Sequence, residues 1–211
     1  MAISAERAQK IDEKMNILRT RLNIPPIGKY TMPEDVRAKL TENVFDKDNV
    51  MLLVNSMMAH MRLPYERINL GIYVDRSPDR NIRYRPTGEY VFYGVPGQNQ
   101  INITLTPEDT PDTVAALLSH EMSHHHLYGK GIFTQPDSEN EILTDVAGVY
   151  FGFAVYMLER YADSVVRSVS FAEMMRLRDK APAIGYIDKE QIRYAMRKCD
   201  EMRRAYRNGA R

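Results

Sequence analysis

The sequence predicts an α+β protein that is mostly helical and has one small β-sheet. In the first sixty residues, apolar side chains recur at spacings of three and four, which is typical of amphipathic helices. Residues 68–105 are instead rich in β-branched and aromatic types, and Pro96-Gly97 interrupts that run. Helical spacing returns from residue 110 onward. Helices, a compact sheet and further helices form an order that predicts the α+β class.

The N-terminal segment is predicted to contain three helices. Apolar residues spaced four, three and four apart form the buried stripe of the first helix, namely Ile11, Met15, Leu18 and Leu22. That helix should end before Pro25. A short helix is expected to begin at Pro33 and a longer one after Asp48, which Pro64 should end.

The sheet is predicted from three extended segments, which are residues 68–75, 90–95 and 100–105. In the last segment, Ile101, Ile103 and Leu105 point to one face, while Asn102 and Thr104 point to the other. We therefore expect a half-buried strand there.

Four helices are predicted after the sheet, beginning at Thr110, Ser138, Ser170 and Asp188. The first should extend to Gly129, and the second should continue past Tyr161. At 211 residues the chain is expected to form a single compact domain. Its predicted parts are N-terminal helices over 1–66, the sheet and the next two helices over 67–161, and C-terminal helices over 162–211.

Composition narrows the possible functions. The net charge is +1, so no overall field would attract nucleic acid or an anionic membrane, although the last sixteen residues carry six basic and two acidic side chains. Cys199 is the only cysteine, which excludes an intrachain disulfide and suits a reducing compartment. The N-terminus lacks the apolar core of a secretory signal, and the longest apolar run, 146–158, is too short for a membrane span. We expect a cytoplasmic protein.

The most informative segment is a cluster of four histidines within seven residues, which begins with the HExxH motif His120-Glu121-Met122-Ser123-His124. Residues four apart lie on the same face of a helix, so His120 and His124 can offer nitrogen atoms to one metal ion. Glu121 is rotated by about 100° from His120 and would lie beside the metal, where it can accept a proton from bound water. The motif predicts a zinc site, because these polar groups on a buried helix would otherwise carry a desolvation penalty.

A catalytic zinc needs a third protein ligand and one open position. Four downstream carboxylates are candidates, namely Asp137, Glu139, Glu141 and Asp145. Glu141 and Asp145 are four apart and share a helix face, so one can bind the metal while the other supports a ligand. Gly148 and Gly152 are predicted to continue that face and to allow close approach of the HExxH helix.

Three alternatives stay open at this point. Glu139 could replace Glu141 as the ligand. Ser138 and Glu141 could instead form an ordinary capping box, with the glutamate turned back to its own helix terminus. Tyr128 lies on the metal side of the predicted helix and could donate a hydrogen bond to a developing oxyanion, or it could simply pack.

The two motifs together, HExxH followed by the segment from Asn140 to Asp145, resemble the paired motifs of the gluzincin metallopeptidases, thermolysin-like enzymes among them. In that clan, a glutamate in an ExxxD motif on a following helix completes the HExxH site. The resemblance covers residues 98–158, in order and motif only, and the short gap between the motifs is like that of compact members of the clan.

The resemblance implies a zincin-like fold and a role for each motif residue. His120, His124 and Glu141 would be zinc ligands, Glu121 the general base and acid, and Asp145 the acceptor that orients a zinc-binding histidine. The implied activity is hydrolysis of peptide bonds by a zinc-activated water. The polypeptide substrate would lie along the exposed side of residues 100–105, because the corresponding strand in the clan is an edge.

The alternative function is a regulatory or binding protein that keeps the fold and uses its metal structurally. Its basic C-terminal helix would then contact a protein or nucleic-acid partner. Glu121 argues against this alternative, because a structural zinc site has no use for a glutamate beside bound water and usually fills its fourth position with protein.

Overall fold

The fold is that of a computed structural model, which describes residues 3–63, 68–75, 88–91, 93, 98–165 and 187–209, without the side chains of 160–165. The described elements are α1 (Ala5–Leu22), α2 (Glu34–Glu42), α3 (Lys47–Met61), β1 (Asn69–Val74), β2 (Gly88–Val91), β3 (Gln100–Leu105), α4 (Pro111–Gly129), α5 (Asp137–Tyr150), α6 (Ala154–Val165) and α7 (Lys189–Gly209). The predicted α+β class is confirmed. The predicted helix start at Ser170 lies outside the described residues.

The chain divides into two compact units. The helical unit comprises Met1–Lys29 and Gly129–Arg211, and the sheet unit comprises Tyr30–Tyr128. The single domain inferred from the sequence stays a prediction. Within the described ranges, no helix has the length and apolar character that a membrane span requires.

The helical unit is built from contacts among α1, α5, α6 and α7. Of the predicted stripe on α1, Ile11, Met15 and Leu18 are buried, and the helix ends at Leu22 as expected. The α7 helix begins where it was predicted, because the Asp188 carboxylate accepts the backbone N–H groups of Glu190 and Gln191 at 2.9 Å.

The long helix predicted from Ser138 past Tyr161 is wrong, since the chain forms two helices there. Gly152 has a φ of 93°, a left-handed conformation that glycine adopts without steric cost. The N–H of Phe153 donates to the Gly148 carbonyl and that of Gly152 to the Val149 carbonyl, both at 3.0 Å. These two hydrogen bonds form a Schellman motif, which is a common way for a helix to end. Gly152 therefore ends α5 and does not extend the predicted glycine face, which is reduced to Gly148.

The sheet has the order β1-β3-β2, with β1 parallel and β2 antiparallel to β3. Ile101, Ile103 and Leu105 are fully buried, whereas Asn102 and Thr104 are not, which confirms the half-buried strand. The expectation that residues 100–105 form an edge is wrong. Both sides of β3 are paired, so its backbone cannot receive an extended substrate.

The HExxH helix α4 follows the central strand and is anchored at its start. Arg37 of α2 donates two hydrogen bonds to the carboxylate of Asp112, at 2.9 and 2.7 Å. Most side chains from Val114 to Leu127 are buried, and they include the polar residues Ser119, Glu121, Ser123 and the three histidines 124–126. Within the HExxH motif, Glu121 and His124 are buried, whereas His120 is half-buried.

Candidate metal centre

The α4 helix places the two histidines of the motif side by side. The Nε2 atoms of His120 and His124 are 3.1 Å apart, and their rings are nearly perpendicular, at 81°. Two nitrogens bound to one tetrahedral zinc at about 2.0–2.1 Å would lie about 3.3 Å apart. The observed separation is therefore close to the one that a shared zinc ion requires.

Glu141 of α5 belongs to the same group. The candidate ligand atoms of His120, His124 and Glu141 all lie within 4.8 Å of one another, and no other such group of three is present in the described ranges. Two histidines and one glutamate are a donor set found in catalytic zinc sites, where the fourth position stays open. The residues present could therefore hold a metal ion, and zinc as that ion stays a prediction.

Glu139, the alternative ligand, is occupied elsewhere. One of its carboxylate oxygens contacts Lys10, and the other lies 2.8 Å from the ammonium of Lys14. Hydrogen bonds from these two lysines hold the pKa of Glu139 below its ordinary value. Both oxygens of Glu139 are thus engaged by lysines, and the choice of Glu141 as the metal ligand stays a prediction.

The capping box proposed for Ser138 and Glu141 does not form. The α5 helix begins at Asp137, and its N-cap is Pro136, which has no side-chain capping bond. Ser138 therefore lies inside the first turn, where its side chain is not in the N-cap position. Glu141 is therefore not needed to cap the N-terminus of its own helix.

Glu121 is buried in α4 and faces β2. A Cβ atom added to Gly88 of β2 would overlap the Glu121 carboxylate and would lie 2.9 Å from its Cδ atom. The carboxylate thus occupies the space that a side chain at Gly88 would need. A glycine in this strand leaves room for the acid of the HExxH motif.

Tyr90 of β2 packs against three aromatic rings of α4, which are those of His124, His125 and Tyr128. Its ring is parallel to that of His124 within 4°, with 6.4 Å between the centroids. Its hydroxyl is hydrogen-bonded to Nδ1 of His125 at 3.2 Å. The ring centroid of Tyr128 lies 5.9 Å from those of Tyr90 and His124, so Tyr128 is close to the candidate metal centre. Its proposed hydrogen bond to an oxyanion stays a prediction.

Sequence reasoning missed Gly88 and Tyr90. Their position beside Glu121 and His124 depends on the pairing of β2 with β3, which places Gly88 opposite Ile103 and Tyr90 opposite Ile101. A single sequence does not reveal that pairing. The only available signal was that the two residues are two apart and therefore share a strand face.

Asp145 is buried in α5 and has a partner in the helical unit. Its Oδ2 atom accepts the backbone N–H of Ile187 at 3.2 Å. This bond ties α5 to the segment just before α7. The proposed orientation of a zinc-binding histidine by Asp145 stays a prediction.

Comparisons with protein-family models, with curated proteins and with solved structures found no match to this chain.

Proposed function

We propose that this protein is a zinc-dependent metallopeptidase of gluzincin type, with a zincin-like fold and a polypeptide substrate. The observation that carries the proposal is the group of His120, His124 and Glu141, whose ligand atoms lie within 4.8 Å of one another. A buried glutamate directly follows the first of these ligands. The single cysteine, Cys199, suits a reducing compartment, so we propose a cytoplasmic location.

The proposed residues would divide the chemistry among them. His120 and His124, as neutral imidazoles, and Glu141, as a carboxylate, would hold the ion. Zinc, when bound, supplies a Lewis acid that polarises the scissile carbonyl and makes water more acidic. Glu121 would take a proton from the attacking water and deliver it to the leaving nitrogen. The peptide bond would be replaced by a carboxylate and an amine, without a covalent intermediate.

Glu121 suits the role of base because it lies next to a ligand on the helix but is not part of the ligand group. The Gly88 backbone leaves space for its carboxylate. A carboxylate that bound the metal itself could not also move the proton, so the two glutamates would serve different functions. Glu141 would bind the ion and Glu121 would transfer the proton.

The proposal is tested by hydrolysis of a fluorescently labelled, reduced and unfolded casein. We expect wild type to cleave it, a chelator to stop cleavage and added zinc to restore it. Glu121→Gln keeps the shape of the side chain but cannot accept the proton, so it should bind zinc and lose about 10²–10⁴-fold in rate. Glu139→Gln is the matched control, since it makes the same change in a carboxylate that contacts lysines, and it should retain activity.

Two results would contradict the proposal. Cleavage by Glu121→Gln at the wild-type rate would show that the motif does not carry the reaction. Zinc binding by wild type without any hydrolysis would favour the alternative, in which the metal is structural and the protein binds a partner.

A further inference from the structure

We propose that strand β2 positions the candidate metal centre through Gly88 and Tyr90. Gly88 would determine where the Glu121 carboxylate lies, and Tyr90 would limit rotation of the His124 ring. The roles given to Glu121 and His124 rest on the proposed function. Gly88 and Tyr90 are two residues apart, so they share one face of the strand, while Glu89 between them is exposed.

The Gly88 position acts by steric exclusion. A methyl group there would overlap Glu121 Oε1 and lie 2.9 Å from Cδ and 3.1 Å from Cγ, which is closer than normal packing allows. The described glycines with positive φ are Gly131 and Gly152, so the requirement at Gly88 is space rather than a left-handed backbone. The obstructing atoms are the end of a flexible side chain. An alanine at position 88 would therefore displace the carboxylate while β2 stays paired.

Tyr90 acts on His124, the second histidine of the HExxH motif. Its ring is parallel to the His124 imidazole, at a centroid distance typical of interacting aromatic pairs. A hydrogen bond of 3.2 Å between its hydroxyl oxygen and Nδ1 of His125 holds the tyrosine ring in turn. The ring of His124 therefore has two tyrosine rings as neighbours, Tyr90 with a centroid distance of 6.4 Å and Tyr128 with one of 5.9 Å. Metal affinity depends on such outer contacts, because they orient the ligand before the ion binds.

The β2 strand can act as a fixed support because it is paired with the buried centre of the sheet. Gly88 lies opposite Ile103 and Tyr90 opposite Ile101 in the antiparallel register. Both isoleucines have no exposed surface. The position of the two supporting residues is thus determined by the core of the sheet unit.

The Gly88 contact is tested without metal, by thermal unfolding in the presence of a chelator. The four proteins are wild type, Gly88→Ala, Glu121→Ala and the double variant. Gly88→Ala should lower Tm more in the wild-type background than in Glu121→Ala, where the added methyl finds space, because residues in contact have non-additive effects. Equal shifts of Tm in both backgrounds would overturn this part of the inference.

The Tyr90 contact is tested by zinc affinity, measured by competition with a chromophoric chelator. Tyr90→Ala should weaken zinc binding by about 10-fold or more, while Tyr90→Phe keeps the ring and should recover most of the loss. Tyr93→Ala is the matched control, since 54% of that side chain is exposed. Wild-type zinc affinity in Tyr90→Ala would overturn the role of Tyr90.

These experiments separate the inference from the proposed function. If wild type binds no zinc, the proposed function fails, but the Tm comparison still decides whether Gly88 contacts Glu121. If wild type binds zinc and Tyr90→Ala binds it equally well, the proposed function stands and the positioning role of Tyr90 fails. Gly88→Ala should also keep wild-type zinc affinity while losing casein hydrolysis, a separation that general destabilisation would not produce.

Discussion

At the scale of single residues, two glutamates two positions apart in α5 have different environments. Glu139 is engaged by Lys10 and by the nearly buried ammonium of Lys14. Glu141 belongs to the group with His120 and His124. Their separation by about 200° around the helix explains how neighbouring carboxylates of equal charge face different partners.

This difference predicts opposite outcomes for the same substitution. Glu141→Gln should weaken zinc binding, because a neutral amide is a poorer ligand than a carboxylate. Glu139→Gln should keep zinc but lower the stability of the fold by about 1–3 kcal/mol, because the buried Lys14 loses the closer of its two carboxylate partners and retains Glu13 at 3.5 Å. Zinc titration and thermal unfolding of both variants would check this. Normal zinc binding by Glu141→Gln, with loss in Glu139→Gln, would show that the wrong carboxylate was chosen.

At the scale of secondary-structure elements, local signals predicted most helices. The spacing of Ile11, Met15 and Leu18, and the capping residue Asp188, correctly predicted α1 and the start of α7. The break between α5 and α6 was missed, because Gly152 was interpreted as part of a helix face. A glycine in an apolar run can serve either purpose, and only its backbone conformation decides.

The order of the strands in the sheet also could not be predicted from the sequence. The alternation of residues 100–105 correctly predicted which side chains are buried, because that pattern depends on one strand alone. The central place of β3 depends on its two neighbours, which local patterns do not specify. For the same reason His120, Glu121 and His124 were identifiable from their motif, whereas Gly88 and Tyr90 were not.

The C-terminus of α5 gives a prediction at this scale. Gly152→Ala should destabilise the protein by about 1–2 kcal/mol, because its φ of 93° is unfavourable for any residue with a Cβ atom. Gly129→Ala is the control. It lies at the end of α4, has no atom within 4 Å of an added Cβ and has no left-handed backbone. Chemical unfolding should separate the two variants, and equal stability would contradict the proposed role of Gly152.

At the scale of the whole molecule, stability should fall at alkaline pH. Burial raises the pKa of the Cys199 thiol from 9.0 to about 12, and burial also raises the pKa of Tyr150 from 10.0 to about 12. A raised pKa means that the folded state favours the neutral form. The stabilisation is complete below the ordinary pKa and is lost as pH rises toward the folded value, so it should decline from about pH 9 upward.

Two measurements check this prediction. Cys199→Ala should flatten part of the decrease in Tm between about pH 9 and 11, relative to wild type, although it also removes some packing. In the folded wild type, Cys199 should react with a thiol reagent at pH 8 far more slowly than in denaturant, because the thiolate is the reactive form. Rapid labelling of the native protein would contradict the burial of this thiol.

His120, His124 and Glu141 are proposed to hold one zinc ion. Anomalous diffraction at the zinc absorption edge, on crystals of the zinc-loaded protein, tests it most directly. We expect a single strong peak at about 2.0–2.2 Å from a nitrogen of each histidine and from an oxygen of Glu141. No peak at this position in zinc-loaded crystals, or a peak bound by other residues, would contradict the account.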